Sequence, residues 1–216
     1  MTRKLILSAA FATVCAASQA QEMKEIFTQI PDSILPTLTH NDRRDCIDFI
    51  ENGLESTVNN TLKGQSRLTM LTPTLAKLQL SEHANMQFCK LQTNAQDAND
   101  YIICMIHSID AGMRNSVIRF YNKDWTLVGT TQFITIPKTE EFIPKPDSMD
   151  TTEYQNLINF AAHAFIYAKF TDENTLELNY TSSNNADKQY RETVLPYVKP
   201  TITMKWNKAT HRFVKL

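Results

Sequence analysis

The densest run of side chains able to do chemistry is His40-Asn41-Asp42-Arg43-Arg44-Asp45, followed at once by Cys46. A histidine beside two carboxylates can ligate a metal, or act as a general base with an orienting acid. The spacing argues against both. On a helix His40 lies over Arg43 and Arg44 while Asp42 lies over Asp45, and two guanidinium groups beside the carboxylates neutralise them and repel a cation. The same residues suit the solvated first turn of a helix. Thr39 is an N-cap type, Asp42 stands three residues on, and acidic groups there complement the helix dipole. Cys46 falls mid-helix beside Ile47, whereas a reactive thiolate is favoured at a helix N-terminus, so it reads as a small buried hydrophobe.

The other reactive side chains are scattered. Cys89 and Cys104 fall opposite one another on neighbouring strands if the loop between them is centred near residues 96–97. A bridge then requires close Cβ atoms, and two packed thiols are the default. With Cys46 they make an odd count, which cannot be a complete disulfide framework. His83, His107, His163 and His211 are in no ligand spacing and read as turn or strand-face residues. Trp125 and Trp206 are candidates for stacking on a sugar or peptide, with core packing the stronger reading. The chain has only 4 glycines, none clustered, which excludes phosphate-cradling loops, dinucleotide fingerprints and nucleophile elbows. No residue is assigned a catalytic or metal-binding role, and no cofactor is expected.

The elements that position these residues follow from periodicity. Met23, Ile26, Phe27 and Ile30 have the i, i+3, i+4, i+7 spacing of a short helix ended by Pro31, and Pro36 is expected to keep the next segment extended. A helix then runs from Thr39, with Cys46, Ile47 and Ile50 on its apolar face, to a stop at Gly53, with Leu54 folding back on Phe49. From about residue 56 the period becomes strand-like. Thr57–Leu62 and Arg67–Leu71 flank a turn, Ala76, Leu78 and Leu80 alternate with polar residues, and Met86–Leu91 follows. Tyr101–Ile109 is apolar enough for a strand covered on both faces, and Ser116–Tyr121 and Thr126–Val128 come after it. Residues 136–150, with Pro137, Pro144 and Pro146, read as a linker or surface loop and as the one internal boundary. A helix at Thr151–Phe160, strands at Ala164–Phe170 and Leu176–Thr181, a helix at Asp187–Leu195 stopped by Pro196, and a final hairpin around Asn207-Lys208-Ala209 complete the chain. The fold class is α+β: antiparallel meander sheets packed by a few short helices. Residues 21–216 form a single domain, with room for two halves divided near 136–150.

The first twenty residues read as a cleaved signal peptide. Arg3 and Lys4 precede an apolar run too short to span a bilayer, and Ser18-Gln19-Ala20 puts small residues where a signal peptidase reads them, so cleavage is expected before Gln21. Lipoprotein anchoring at Cys15 is disfavoured, because Ala12-Thr13-Val14 lacks a small residue directly before the cysteine. Without the leader the chain has 20 basic and 23 acidic residues, a net charge of −3. It has no basic run to track a phosphate backbone, so nucleic acid is not an expected partner, and no later segment is long enough to be transmembrane.

Several motifs carry a resemblance. They are Ile30-Pro31-Asp32-Ser33-Ile34-Leu35-Pro36-Thr37-Leu38-Thr39, Arg44-Asp45-Cys46-Ile47-Asp48-Phe49, Glu51-Asn52-Gly53 and Ile103-Cys104-Met105-Ile106. Ile118-Arg119-Phe120-Tyr121 with Asp124-Trp125, and Trp206 with Arg212-Phe213, complete the set. With the leader, they resemble an exported family of Gram-negative gut bacteria known only as a domain of unknown function. The resemblance covers nearly the whole mature chain, implies a periplasmic or secreted location, and supplies no catalytic residues. The expectation is a non-catalytic binding or interaction module of the cell envelope, its partner a protein, peptide or envelope component. The alternative is a hydrolase of unrecognised type using the His40–Asp45 region. If the stretch around that region has a functional surface, it is expected at the Asp32-Ser33-Ile34 bend between two prolines.

Overall fold

Eleven strands form two antiparallel sheets in the computed structural model, which describes residues 17–94, 97, 100–161, 165–182 and 187–216. The larger sheet contains β1 (Thr57–Asn59), β2 (Gln65–Leu71), β3 (Leu75–Ser81), β4 (Ala84–Gln92), β5 (Tyr101–Ala111), β6 (Met113–Tyr121) and β7 (Leu127–Val128) in sequence order. The smaller contains β8 (Ile166–Phe170), β9 (Thr175–Tyr180), β10 (Thr201–Asn207) and β11 (Arg212–Lys215), again with sequence neighbours paired. This is the α+β meander architecture that the strand patterns predict. β1 is shorter than expected: the Asn60 side-chain oxygen accepts from the backbone N–H of Leu62 and Gly64, both at 3.0 Å, and turns the chain early. At the β5–β6 hairpin Gly112 takes φ +89°, which a residue with a Cβ rarely adopts.

The apolar run in β5 is explained by its place between two cores. Ile103 and Met105 join Phe27, Ile47, Leu78 and Phe88 beneath two N-terminal helices, whereas Cys104 and Ile106 join Phe170, Leu178, Trp206 and Phe213 between the sheets. Alternate side chains thus enter different cores. The helices over the first core are α1 (Ala17–Thr28) and α2 (His40–Glu51). α1 continues through the Ala20–Gln21 junction, and its Met23 and Phe27 are fully buried. Phe27 meets the Phe88 ring edge-on at 6.3 Å, fixing α1 to β4.

Both ends of α2 are closed by local chemistry. The Asp42 N–H donates to the Thr39 hydroxyl at 3.2 Å, while the Thr39 N–H donates to the Asp42 carboxylate at 2.8 Å, a reciprocal capping box. At the other end Gly53 takes φ +69°, its N–H donates to the Ile50 carbonyl, and that of Leu54 donates to the Phe49 carbonyl at 2.9 Å. The Leu54 side chain itself remains exposed.

Three further helices, α3 (Thr139–Phe142), α4 (Thr151–Ala161) and α5 (Lys188–Thr193), serve the second core. Residues 136–150 are therefore not a plain surface loop: they hold α3, and Phe142 and Ile143 are completely buried. Prolines and charges mask one apolar pair that anchors the segment, with the Tyr154 hydroxyl donating to the Ile143 carbonyl at 2.7 Å. α5 stops at Thr193, before Pro196, because Val194 turns into the core and Pro196 sits inside a following 3₁₀ turn, Leu195–Tyr197.

The sheets are stitched together by side chains. The N–H groups of Ile166, Ala168 and Phe170 on the edge strand β8 donate to Asn115 Oδ1 (3.4 Å), Ser116 Oγ (2.9 Å) and Gln87 Oε1 (3.0 Å) on the larger sheet. Lys77 Nζ donates to the Phe170 carbonyl at 2.8 Å. An edge strand normally leaves such groups open to another chain; here they are occupied. Gln87→Leu removes the acceptor and strands the buried Phe170 N–H. The expected loss is about 2 kcal/mol of unfolding free energy, read as a lower urea midpoint at unchanged slope.

Candidate functional site

The segment linking α1 to α2 is a turn held by a buried arginine. The Pro31 carbonyl accepts from the N–H groups of Ile34 (2.9 Å) and Leu35 (3.1 Å), so Asp32-Ser33-Ile34 curls instead of running extended. Arg43 lies 2% exposed beneath it. Its Nε donates to the Thr28 carbonyl at 3.2 Å, and its Nη1 donates to the Leu38 carbonyl at 2.6 Å and to Asp32 Oδ1 at 3.1 Å. This corrects the expectation of a solvated charged turn in which Arg43 neutralises its neighbouring carboxylates. The missed signal is spacing: 43, 46, 47 and 50 form one helical stripe, and Arg43 belongs to its buried face.

The rest of the polar cluster does not converge. Asp42 is occupied in the cap, and His40, Arg44 and Asp45 are exposed. Among the described residues no group of three His, Cys, Asp or Glu side chains is placed to hold a metal. Cys46 is buried, as its mid-helix position implied, and burial pushes its thiol up. Cys89 and Cys104 stand directly opposite in the β4–β5 register, both fully buried and both free thiols, with Cys89 Sγ donating to the Glu173 carbonyl at 3.1 Å. Their thiols are also pushed up by burial. Trp206 is a core residue whose indole N–H donates to the Gln92 carbonyl at 3.0 Å. Trp125 is half-buried against Phe88 and Tyr121. His83 lies in the β3–β4 turn and His211 in the last one, while His163 and Cys15 lie outside the described residues.

The turn's other face closes a cavity of about 420 Å³. Ile34, Leu35, Pro36 and Thr37 form one wall, Asn60, Leu62 and Gly64 a second, and Leu80, Ser81, Ala84 and Met86 of the β3–β4 hairpin a third, with His107 of β5 completing the lining. Most of its polar groups are engaged. The Asn60 amide nitrogen donates to Ser66 Oγ (3.0 Å) and the Leu80 carbonyl (3.3 Å), and Ser81 Oγ accepts from the His83 N–H. Two groups are open. Among the described residues Thr37 Oγ1 is buried with no hydrogen-bond partner, and the half-buried His107 ring makes no hydrogen bond. Burial holds His107 below the usual imidazole value, and the nearby Arg119 guanidinium adds to the effect, so the ring is neutral at pH 7. Outside the cavity the apolar surface continues: Leu62 is 76% exposed, Ile109 on the His107 face 50%, and Val117, the cross-strand partner of His107, 46%.

A second cavity of about 310 Å³ lies across the same hairpin and is polar, but three of its four described Lys, Asp and Glu side chains are engaged, Glu82 being the exception. Lys77 is bonded to the Phe170 carbonyl, Lys169 to Glu177 at 2.9 Å and Asp110 to Arg114 at 2.7 Å. The apolar cavity is therefore the better candidate. Sequence reasoning singled out the 32–34 bend beside it but missed Leu62 and also Thr37, Leu80, Ala84 and Met86, the last four of which carry no chemical signature. Leu62, a large apolar residue at a turn tip, was the one visible sign.

A solved structure described as a domain of an uncharacterized protein from Porphyromonas gingivalis W83 is similar over 90% of this chain and 98% of that chain, with a TM-score of 0.74 and 19% identity. That likeness is one of fold. No curated protein matches the chain. The unknown-function character implied by the motifs between Ile30 and Phe213 holds, for residues 15–211 match a family profile and the chain belongs to the family described as "Protein of unknown function (DUF3256)".

Proposed function

We propose that this protein is an exported, non-catalytic binding module of the cell envelope, and that the apolar cavity beside the Asp32–Thr37 segment is its binding site. The observation that carries the reading is the cavity itself: concave, apolar and in the size range of small-ligand sites, with one buried polar atom, Thr37 Oγ1, left without a partner among the described residues. The exposed Leu62, Ile109 and Val117 extend the same surface to a larger partner. Export rests on the leader pattern of the first twenty residues, and no described helix is long and apolar enough to cross a membrane. The hydrolase alternative needs His40, Asp42 and Asp45 to meet a substrate together, whereas each faces solvent or serves the helix cap.

The test fills the cavity. Ala84→Phe places a ring among Leu80, Met86 and Ile34, and Leu62→Asp puts a charge at the lip. Each is expected to weaken binding of an environment-sensitive naphthalene dye about tenfold, the equivalent of losing roughly 1.4 kcal/mol of apolar contact. The folded circular-dichroism signature should be retained. Dye binding unchanged in both variants sinks the assignment of this site.

A further inference from the structure

Resting on that reading of the site, we infer that its ligand is an aliphatic carboxylate, a free fatty acid with its chain in the cavity and its head against His107 and Arg119. Three features of the lining select this class. First, among the described residues no Phe, Tyr or Trp lines the cavity, so none is available to stack on a sugar, a nucleobase or an aromatic ligand, whereas Ile34, Leu35, Leu80 and Met86 suit a flexible hydrocarbon chain. Second, no acidic side chain among the described residues lines it, so a cationic head meets no countercharge from them. Third, the charge beside it is positive. Arg119 pairs with Met105 across β5–β6 and lies diagonal to His107 on the same sheet face, close enough to perturb the imidazole. It is exposed and makes no ion pair among the described residues.

The polar groups fit the same head. A carboxylate is acceptor-only, the Thr37 O–H is a buried donor with no partner among the described residues, and the half-buried His107 ring N–H makes no hydrogen bond to any of them. Arg119 supplies the sign and the stronger, charge-assisted attraction. An alcohol of equal chain length keeps the tail contacts and loses that attraction. An alkylammonium of equal length meets repulsion.

The experiment displaces the naphthalene dye from the purified mature chain with dodecanoate, dodecanol and dodecyltrimethylammonium, each below its micelle concentration. Dodecanoate is expected to bind about tenfold more tightly than dodecanol, the scale of one charge-assisted contact, and the ammonium more weakly than either. Arg119→Gln, an exposed change with no packing role, should remove the carboxylate advantage without moving the melting temperature. Thr37→Val should weaken dodecanoate and leave dodecanol nearly unchanged. In a chemical-shift titration, saturating dodecanoate should raise the His107 titration midpoint, as a neighbouring anion must. Equal affinity for acid and alcohol, or indifference to Arg119→Gln, overturns the carboxylate assignment while leaving a general apolar site intact. Failure of the dye and all three chains to bind overturns both.

Discussion

Replacing Arg43 with methionine will lower the unfolding free energy by about 3 kcal/mol, the sum of two main-chain carbonyls each stranded at about 1–3 kcal/mol. The carbonyls are those of Thr28 and Leu38, on opposite sides of the α1–α2 turn, and the guanidinium reaches both. Methionine fills much the same volume, so the loss reports the hydrogen bonds and not a void. For a chain of this size the melting temperature should fall by about 6–12 °C. Asp32→Asn separates the clamp from the ion pair. The Asp32 side chain is 76% exposed, so its pairing with Arg43 is screened by solvent and should contribute less than about 1 kcal/mol. Equal losses in the two variants would show that the ion pair, not the carbonyl clamp, holds the turn. Because the turn is also a wall of the cavity, Arg43→Met should weaken dye binding even where the protein remains folded.

Alkaline destabilisation is the second large effect. Cys46, Cys89 and Cys104 are buried thiols whose folded values lie above those of the unfolded chain, chiefly through lost solvation. Above the unfolded thiol value of about 8.5, the unfolded chain sheds protons that the folded chain keeps. The stability that depends on neutral thiols is therefore complete below that pH and is lost as pH rises toward the raised folded values. The two fully buried thiols, Cys89 and Cys104, each approach a slope of about 1.4 kcal/mol per pH unit in that window, together roughly 3 kcal/mol per unit, and Cys46 adds in the same direction. Tyr101, Tyr121, Tyr154 and Tyr190, also raised by burial, act in the same direction from about pH 10 upward. Lys77 and Lys90 oppose it: burial lowers both, the folded chain releases those protons first, and stability rises with pH until the unfolded lysines follow. The thiols begin earlier and are more deeply buried, so they dominate. Urea midpoints with reductant present should fall steeply between pH 8 and pH 10, and Cys89→Ala with Cys104→Ala should flatten the slope. A midpoint constant over that range would refute the account.

Much of this architecture is legible without coordinates because it is set by local rules. Thr39, Asp42 and Gly53 announce the ends of α2, and the structure uses all three. The separation of Cys89 from Cys104 implies their register, since a hairpin centred between them pairs residues equidistant from its middle. The apolar run in β5 implies cover on both faces, and it has two cores. What escapes is non-local. Gln87, Ser108 and Ser116 resemble solvent-facing strand residues, yet they are wholly or largely buried and, with Gln87 and Ser116 as acceptors, satisfy a strand some fifty to eighty positions away. Phe142 and Ile143 sit among prolines and charges that dominate any window average. The cavity is assembled from residues 34–37, 60–64, 80–86 and 107, unremarkable aliphatic positions that acquire meaning only when folding brings them together.

The pairing of each strand with its sequence neighbour also constrains how the chain reaches this structure. Every described ladder joins consecutive strands, and all but β9–β10, whose connection carries α5, close through a short loop at small entropic cost. The expensive closures are those between sheets, such as Gln87 to Phe170 across 83 positions. Two meanders that zip quickly and then dock place the barrier at the polar seam, not within either sheet. Until that seam closes, β8 is an open edge carrying three unpaired N–H groups, and the half-folded chain is the species most prone to pair with a copy of itself.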